Sequence, residues 1–161
     1  MKKGILIIFL LAAILSTVSA KAKKKIAKPC NGITYISMHR TACFGRCPDY
    51  MIELYSNGNV KYSGYMFVPD SGVYQKNIGQ AKVLKIFKDF ELYRVDTCRE
   101  KYDMRMQDLP GLYYSFIYKG KSHEIFNANF GPDFLTDLAK EIDEAIKPDA
   151  SWKKLASEAK M

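Results

Sequence analysis

Residues 50–62, YMIELYSNGNVKY, carry the strongest fold signal in this 161-residue chain. Tyr50, Ile52 and Leu54 recur at every second position, which is the period of a strand with one buried face. Asn57 and Gly58 follow, and because both tolerate positive φ they favour a tight hairpin turn. The segment therefore predicts two antiparallel strands joined by a short loop.

Further strand and helix patterns lie on both sides of this hairpin. The predicted strands cover residues 33–38, 50–55, 60–68, 73–78, 112–118 and 121–127. The apolar period becomes helical over residues 81–93, and again from Gly131-Pro132 until Pro148. The order ββββαββα predicts an α+β fold, with a mainly antiparallel sheet of about six strands and two helices packed on one face. The other face would be open to solvent or to a partner.

The N-terminal residues have the three parts of a secretory signal peptide. Lys2 and Lys3 precede an apolar run over residues 5–15, and Val18-Ser19-Ala20 offers the small residues that a signal peptidase reads. The apolar run has 11 residues, whereas a membrane-spanning helix needs about 20. We therefore expect a cleaved signal peptide, no stable membrane span afterwards, and a periplasmic or extracellular protein associated with the cell envelope.

The predicted organisation places the positive charge outside the folded domain. Residues 1–20 form the signal peptide, 21–29 a lysine-rich flexible tail, 30–148 a single α+β domain, and 149–161 a C-terminal tail or short helix. The net charge is +8, but the first two segments hold seven of the 25 basic residues and leave 18 against 17 acidic ones. A nucleic-acid-binding domain would itself carry a basic stripe, so no nucleic-acid partner is expected. The tail is a solvated spacer, or it adheres weakly to an anionic surface at about 1 kcal/mol per lysine.

Four cysteines in a chain that is predicted to be exported favour two disulfides. They allow three connectivities, of which we favour Cys43 with Cys47 and Cys30 with Cys98. Gly45 permits positive φ and so allows the backbone to turn back between the first pair. The second bond would close a loop of about 69 residues and stabilise the fold by roughly 4 kcal/mol on the chain-entropy model.

The turn from Cys43 to Cys47 also has reactive interpretations. Two free thiols would suit a thiol oxidoreductase, although redox dithiols usually have two intervening residues and not three. His39 and the two cysteines recur every four residues and could bind a metal from one helix face, but Gly45 and Pro48 oppose a helix there. Cys43 as a nucleophile with His39 as its base would need a free thiol. We favour a structural disulfide, with no catalytic residue, metal or cofactor.

The cysteine turn is nevertheless the best candidate for a binding loop. Its candidate functional residues are His39, Arg40, Phe44, Arg46, Asp49 and Tyr50. Arg40 could hydrogen-bond the loop carbonyls or present its guanidinium to an anion. The longest irregular stretch, residues 94–110, is a second candidate, and a hydrolase could combine His39 with its acids Asp103 and Asp108. Eleven tyrosines could also form an exposed face for a glycan or a protein.

Residues 40–50, RTACFGRCPDY, together with the hairpin that follows them, resemble a family of uncharacterised bacterial envelope proteins. In that family an Arg precedes a Cys-Phe-Gly-x-Cys-Pro-x-Tyr signature, and the resemblance extends over about residues 33–146. It implies a shared fold, but the family is a domain of unknown function and implies no activity. We therefore expect an exported, non-enzymatic envelope module that binds a protein or polymer through its loops and sheet face. The alternative is an envelope thiol oxidoreductase or metal-binding protein that uses Cys43 and Cys47.

Overall fold

The computed structural model describes residues 32–104, 109–147 and 149–155. Its strands are β1 Ile33–Arg40, β2 Asp49–Tyr55, β3 Asn59–Met66, β4 Gly72–Asn77, β5 Lys101–Tyr102, β6 Leu112–Tyr118, β7 Lys121–Asn127 and β8 Lys153–Lys154. Its helices are α1 Gln80–Leu92 and α2 Asp133–Ala145, and a 3-10 turn Val95–Thr97 follows α1. The predicted signal peptide, lysine tail and Cys30 lie outside the described residues. Neither helix is long and apolar enough to cross a membrane.

All eight strands belong to one sheet, in the order β5-β7-β6-β1-β2-β3-β4-β8. Pairing is antiparallel except between β5 and β7, which run parallel. The predicted α+β class and mainly antiparallel sheet are confirmed, but the prediction of about six strands was wrong. The two missed strands, β5 and β8, pair over two residues each at the sheet edges, which is too short to show a sequence period. β8 lies where the sequence suggested a tail or short helix, and it is extended because it pairs with Tyr74 and Gln75.

The hairpin between β2 and β3 turns at Gly58, as the sequence predicted. Gly58 has φ of 90°, which places it in the left-handed region that glycine adopts without strain. A Cβ atom there would lie 2.5 Å from the backbone nitrogen of Gln80, the first residue of α1. The glycine is therefore required both by the turn and by the close approach of the helix.

Both helices cover the same face of the sheet and enclose the core. Phe90 of α1 packs edge-on against Tyr114 of β6, with ring centroids 5.4 Å apart. The Tyr114 hydroxyl donates a hydrogen bond of 2.6 Å to the Leu135 carbonyl of α2. The core strand residues on this face are almost fully buried: Ile36, Met38, Ile52, Leu54, Val60, Tyr114 and Phe116. Each large apolar side chain buried in this way contributes about 1.5–3 kcal/mol, so this layer holds the fold together.

The opposite face of the sheet, which we call the open face, carries polar and aromatic side chains. Because side chains alternate along a strand, residues next to the core positions point to this side. Several of its apolar side chains remain partly exposed: Tyr55, Tyr65, Tyr113 and Ile117. The open face is thus partly exposed and carries both polar and aromatic side chains.

Candidate functional site

The cysteine turn connects β1 to β2 and is closed by a disulfide between Cys43 and Cys47, whose Cα atoms lie 5.5 Å apart. The turn is tied to the start of β6, because the Thr41 amide donates to the Gly111 carbonyl at 3.0 Å. The Gly111 amide donates in return to the Thr41 hydroxyl at 2.9 Å. Gly45 is not among the residues with positive φ, so the expectation that it would use that freedom was wrong. The disulfide and the bonds to Gly111 fix the turn instead.

The side chains of Arg40 and Tyr50, on paired strands, both meet Asp143 of α2. Arg40 donates to Asp143 Oδ2 from Nε at 3.1 Å and from Nη2 at 2.6 Å. The Tyr50 hydroxyl donates to the other carboxylate oxygen at 2.7 Å. Burial, and then the hydrogen bond and charge of Asp143, raise the pKa of Tyr50 above its ordinary value, so the phenol stays neutral. Arg40 therefore holds α2 against the sheet, and this differs from the two roles that the sequence suggested for it.

His39 lies on the open face and contacts Asp49, the first residue of β2. His39 Nε2 is 2.8 Å from Asp49 Oδ1. The imidazole ring stacks on Tyr113, with centroids 6.4 Å apart, and meets Tyr65 edge-on at 5.8 Å. The predicted residues thus divide between the two faces, with Arg40 and Tyr50 turned toward the helices and His39 on the open side.

The structure does not bring Asp103, one of the two predicted loop acids, to His39. Asp103 pairs instead with Lys101 at 2.7 Å, and Asp108 lies outside the described residues. Within the described residues Cys98 forms no disulfide, and burial raises the pKa of its thiol. Cys30 also lies outside those residues, so the Cys30–Cys98 bond stays a prediction.

The middle of the cysteine turn projects into solvent. Phe44 is 91% exposed, the highest value among the exposed large apolar residues. Arg46, beside it, is exposed as well. A concavity of about 230 Å³ lies between the turn and the start of β6, and Cys47, Pro48 and Pro110 are among its lining residues. The turn therefore presents an aromatic and a basic side chain outward on a disulfide-bridged loop.

More exposed apolar side chains gather at the same end of the sheet. Register pairs place the end of β1 beside the start of β2, the end of β3, the start of β6 and the ends of β5 and β7. We call the exposed apolar residues at this end the signature patch: Phe44, Tyr65, Met66, Phe67, Met104, Tyr113 and Phe130. Sequence reasoning identified Phe44 but missed the other six. Each lies near a strand end, a shared position that only the sheet order reveals.

The cysteine turn does not present the free ligands that a metal site would need. Among the residues described in the structure, no three His, Cys, Asp or Glu side chains lie close enough together to hold a metal ion. His39 contacts Asp49, and the two nearby sulfurs are bonded to each other. Thiolate, not disulfide sulfur, is the metal ligand, so this state of the turn offers none.

These features define a small, disulfide-bridged α+β domain with one helix-covered face, one open face and an exposed apolar end. Residues 34–146 match the model of a family described as a domain of unknown function, DUF6438. The match covers more than half of the 161 residues, so the chain belongs to that family. No curated protein and no solved structure gave a match. The expectation that the chain carries a domain of unknown function is thereby confirmed.

Proposed function

We propose that this chain is an exported, non-enzymatic binding module of the cell envelope that holds a protein partner through the signature patch. The observation that carries this proposal is the gathering of seven large, exposed apolar side chains at one end of the sheet. Burying a side chain of this size contributes about 1.5–3 kcal/mol, and exposed apolar side chains concentrated in one region of a surface mark interaction sites. A partner that covers this end of the sheet would bury these side chains, and their burial would stabilise the complex.

Export is supported by two independent features. The first residues of the chain have the composition of a secretory signal, with an apolar run behind two lysines. The Cys43–Cys47 disulfide suits an oxidising compartment, because such bonds are rare where cellular thiols are kept reduced. A periplasmic or extracellular location is therefore part of the proposal.

The chemistry of the signature patch favours a protein over a glycan as the partner. Five of the seven patch residues have no hydroxyl or carboxylate that could hydrogen-bond sugar hydroxyls, and only Tyr65 and Tyr113 carry a hydroxyl. Aromatic residues, Met and Arg are enriched in the buried centres of protein interfaces, and Met side chains adapt to irregular partner surfaces. The exposed Arg46 next to Phe44 completes that composition.

The disulfide contributes by holding Phe44 in place before the partner arrives. An unbridged turn would lose conformational freedom on binding, and that loss opposes affinity. The cross-link between Cys43 and Cys47 and the hydrogen bonds between Thr41 and Gly111 remove much of that freedom in the free protein. The sulfur pair therefore serves binding through rigidity.

A binding role also agrees with the contacts of His39. Its Nε2 atom is engaged by Asp49, and its ring is flanked by Tyr113 and Tyr65. Within residues 32–104, 109–147 and 149–155, no hydroxyl or thiol is hydrogen-bonded to this imidazole, as a nucleophile activated by it would be.

Site-specific photo-crosslinking in the intact envelope tests the proposal. A photoreactive residue at position 44 should give one discrete protein adduct, and purified wild-type protein should compete for it while the Phe44→Ala protein should not. Leu92 is the matched control, because it is 72% exposed but lies on α1, on the helix side of the sheet. Equal adducts from positions 44 and 92, or retention on insoluble wall polymer without a protein adduct, would contradict the proposal. A mixed disulfide trapped by Cys47→Ser would instead indicate a thiol oxidoreductase.

A further inference from the structure

A separate cavity of about 110 Å³ lies between β3, β4 and the C-terminal segment, away from the cysteine turn. Its walls combine three aromatic rings, two carboxylates and one aliphatic side chain: Tyr62, Tyr74, Trp152, Asp70, Asp149 and Ile146. We propose that this cavity binds an alkylammonium head group of the kind a lysine side chain carries, with or without N-methylation. This site is independent of the partner proposed for the signature patch.

The three rings form the walls of a cage and not a stack. Tyr62 occupies the middle, with its ring centroid 6.3 Å from that of Tyr74 and 6.4 Å from that of Trp152. The planes of Tyr62 and Trp152 are inclined by 69°, and those of Tyr62 and Tyr74 by 51°. Rings set at such angles can present more than one electron-rich face to a single cation, and tryptophan and tyrosine faces attract ammonium groups.

The chain itself shows that one of these rings accepts an ammonium group. The Nζ atom of Lys154 lies over the Tyr74 ring, 5.4 Å from its centroid. Lys154 is not among the residues that line the cavity. No ammonium group of the described residues lies over the rings of Tyr62 or Trp152, so these two rings remain for a cation from outside.

The two carboxylates at the cavity differ in their partners. Asp149 is engaged by Lys76 and by Ser151. Asp70 forms no ion pair with any residue in the described part of the chain. One negative charge at the cavity is thus unbalanced, and a bound ammonium group would balance it.

The same charge has a visible effect on the central ring. Burial, followed by the charge of Asp70, raises the pKa of Tyr62 to about 12. Tyr62 is therefore a neutral phenol at physiological pH, and it would meet a cation through the face of its ring and not as a charged phenolate.

The polar groups of the cavity also indicate which class of ammonium ligand fits it. Two carboxylates would repel a phosphate attached close to the amine, and this disfavours phospholipid head groups relative to a lysine-like chain. The indole Nε1 of Trp152 is buried and has no hydrogen-bond partner among the described residues. A buried donor normally has an acceptor, and a peptide ligand could bring one in a carbonyl near its amine. The size of the cavity excludes a large ring cofactor and suits a head group.

The only tryptophan of the chain lines this cavity, so intrinsic fluorescence of the full chain reports directly on occupancy. The probes are N-acetyl-lysine methylamide, its ε-trimethylated form, and N-acetyl-norleucine methylamide, which matches the apolar chain but lacks the ammonium group. Both ammonium probes should give saturable changes, and the norleucine probe should bind at least about tenfold more weakly. Equal affinity for the norleucine probe would overturn the proposal, and so would tighter binding of phosphocholine than of the trimethylated probe.

Variants then separate the ring and charge contributions. Asp70→Asn and Tyr74→Leu should each weaken binding of the trimethylated probe by about tenfold, whereas Tyr74→Phe keeps the ring and should bind within about twofold of wild type. Asp137→Asn, on an exposed side chain of α2, is the control for a general loss of negative charge. Circular dichroism checks that each variant is folded. Unchanged affinity in folded Asp70→Asn and Tyr74→Leu proteins would overturn the proposal.

Discussion

Replacing Asp143 with alanine should destabilise the domain strongly, because this one carboxylate holds α2 to the two central strands. The change removes three hydrogen bonds, two from Arg40 and one from Tyr50. A hydrogen bond to a charged group contributes about 1.5–3 kcal/mol net, and removing one partner also leaves the other without compensation. The Arg40 and Asp143 side chains are 26% and 31% exposed, so water replaces part of the loss. We expect the free energy of unfolding to fall by about 3 kcal/mol.

Urea unfolding followed by circular dichroism measures this loss. With a slope of about 2 kcal/mol per molar urea, the midpoint should fall by roughly 1.5 M while the slope stays unchanged. The matched control is Asp137→Ala on the same helix, whose ion pair with Lys140 joins side chains that are 62% and 66% exposed. That variant should change stability by less than about 0.5 kcal/mol.

Tyr50→Phe completes the test because it removes only one of the three bonds. Alone it should lower stability by about 1 kcal/mol. Combined with Asp143→Ala it should add almost nothing, since neighbours in one network are not additive. A loss in Asp143→Ala no larger than in Asp137→Ala, or full additivity with Tyr50→Phe, would refute the role assigned to this network.

Three further predictions concern the turn, a close contact and alkaline pH. Replacing Cys43 and Cys47 together by serine should lower stability by about 2 kcal/mol, the chain-entropy value for so short a loop, as measured by thermal unfolding against the oxidised protein. Gly64→Ala should destabilise by about 1–3 kcal/mol in urea unfolding, because its Cβ would lie 2.3 Å from the Asp70 carbonyl oxygen. The pKa of Tyr62 is raised to about 12, so the native state keeps a proton that the unfolded chain loses above about pH 10. Stability should therefore fall between about pH 10 and 12 in urea titrations, and Tyr62→Phe should fall less steeply.

Local signals predicted the elements that have a clear period or a defined turn. The strands at residues 112–118 and 121–127 lie at their predicted positions, and the hairpin turns at Gly58. These patterns are set by neighbours along the chain, which is why a single sequence reveals them. β5 and β8 have no such pattern, because their extended shape comes from pairing with β7 and β4.

The candidate site depends on contacts that no local pattern encodes. Arg40 and Tyr50 were selected from the sequence, but their shared partner Asp143 lies 103 and 93 positions away. Nothing in the sequence of α2 separates Asp143 from its other acids. The sequence likewise shows no sign of the cavity between β3, β4 and the C-terminal segment. Trp152 reaches that cavity only because β8 pairs with β4.

The cysteine turn combines two partly buried anchors with an exposed aromatic side chain, and the alternation of side chains along β1 and β2 explains where the anchors point. Arg40 and Tyr50 occupy the last and first paired positions of β1 and β2, and from there both side chains reach inward to α2. Phe44 lies in the turn between these anchors, outside both strands, and its side chain projects into solvent. An aromatic ring that is 91% exposed does not stabilise the free protein. If the turn were only structural, a polar residue would suffice at this position. The ring is thus best explained by a surface that exists only in a complex, and the anchored, bridged turn is what would present it to that surface.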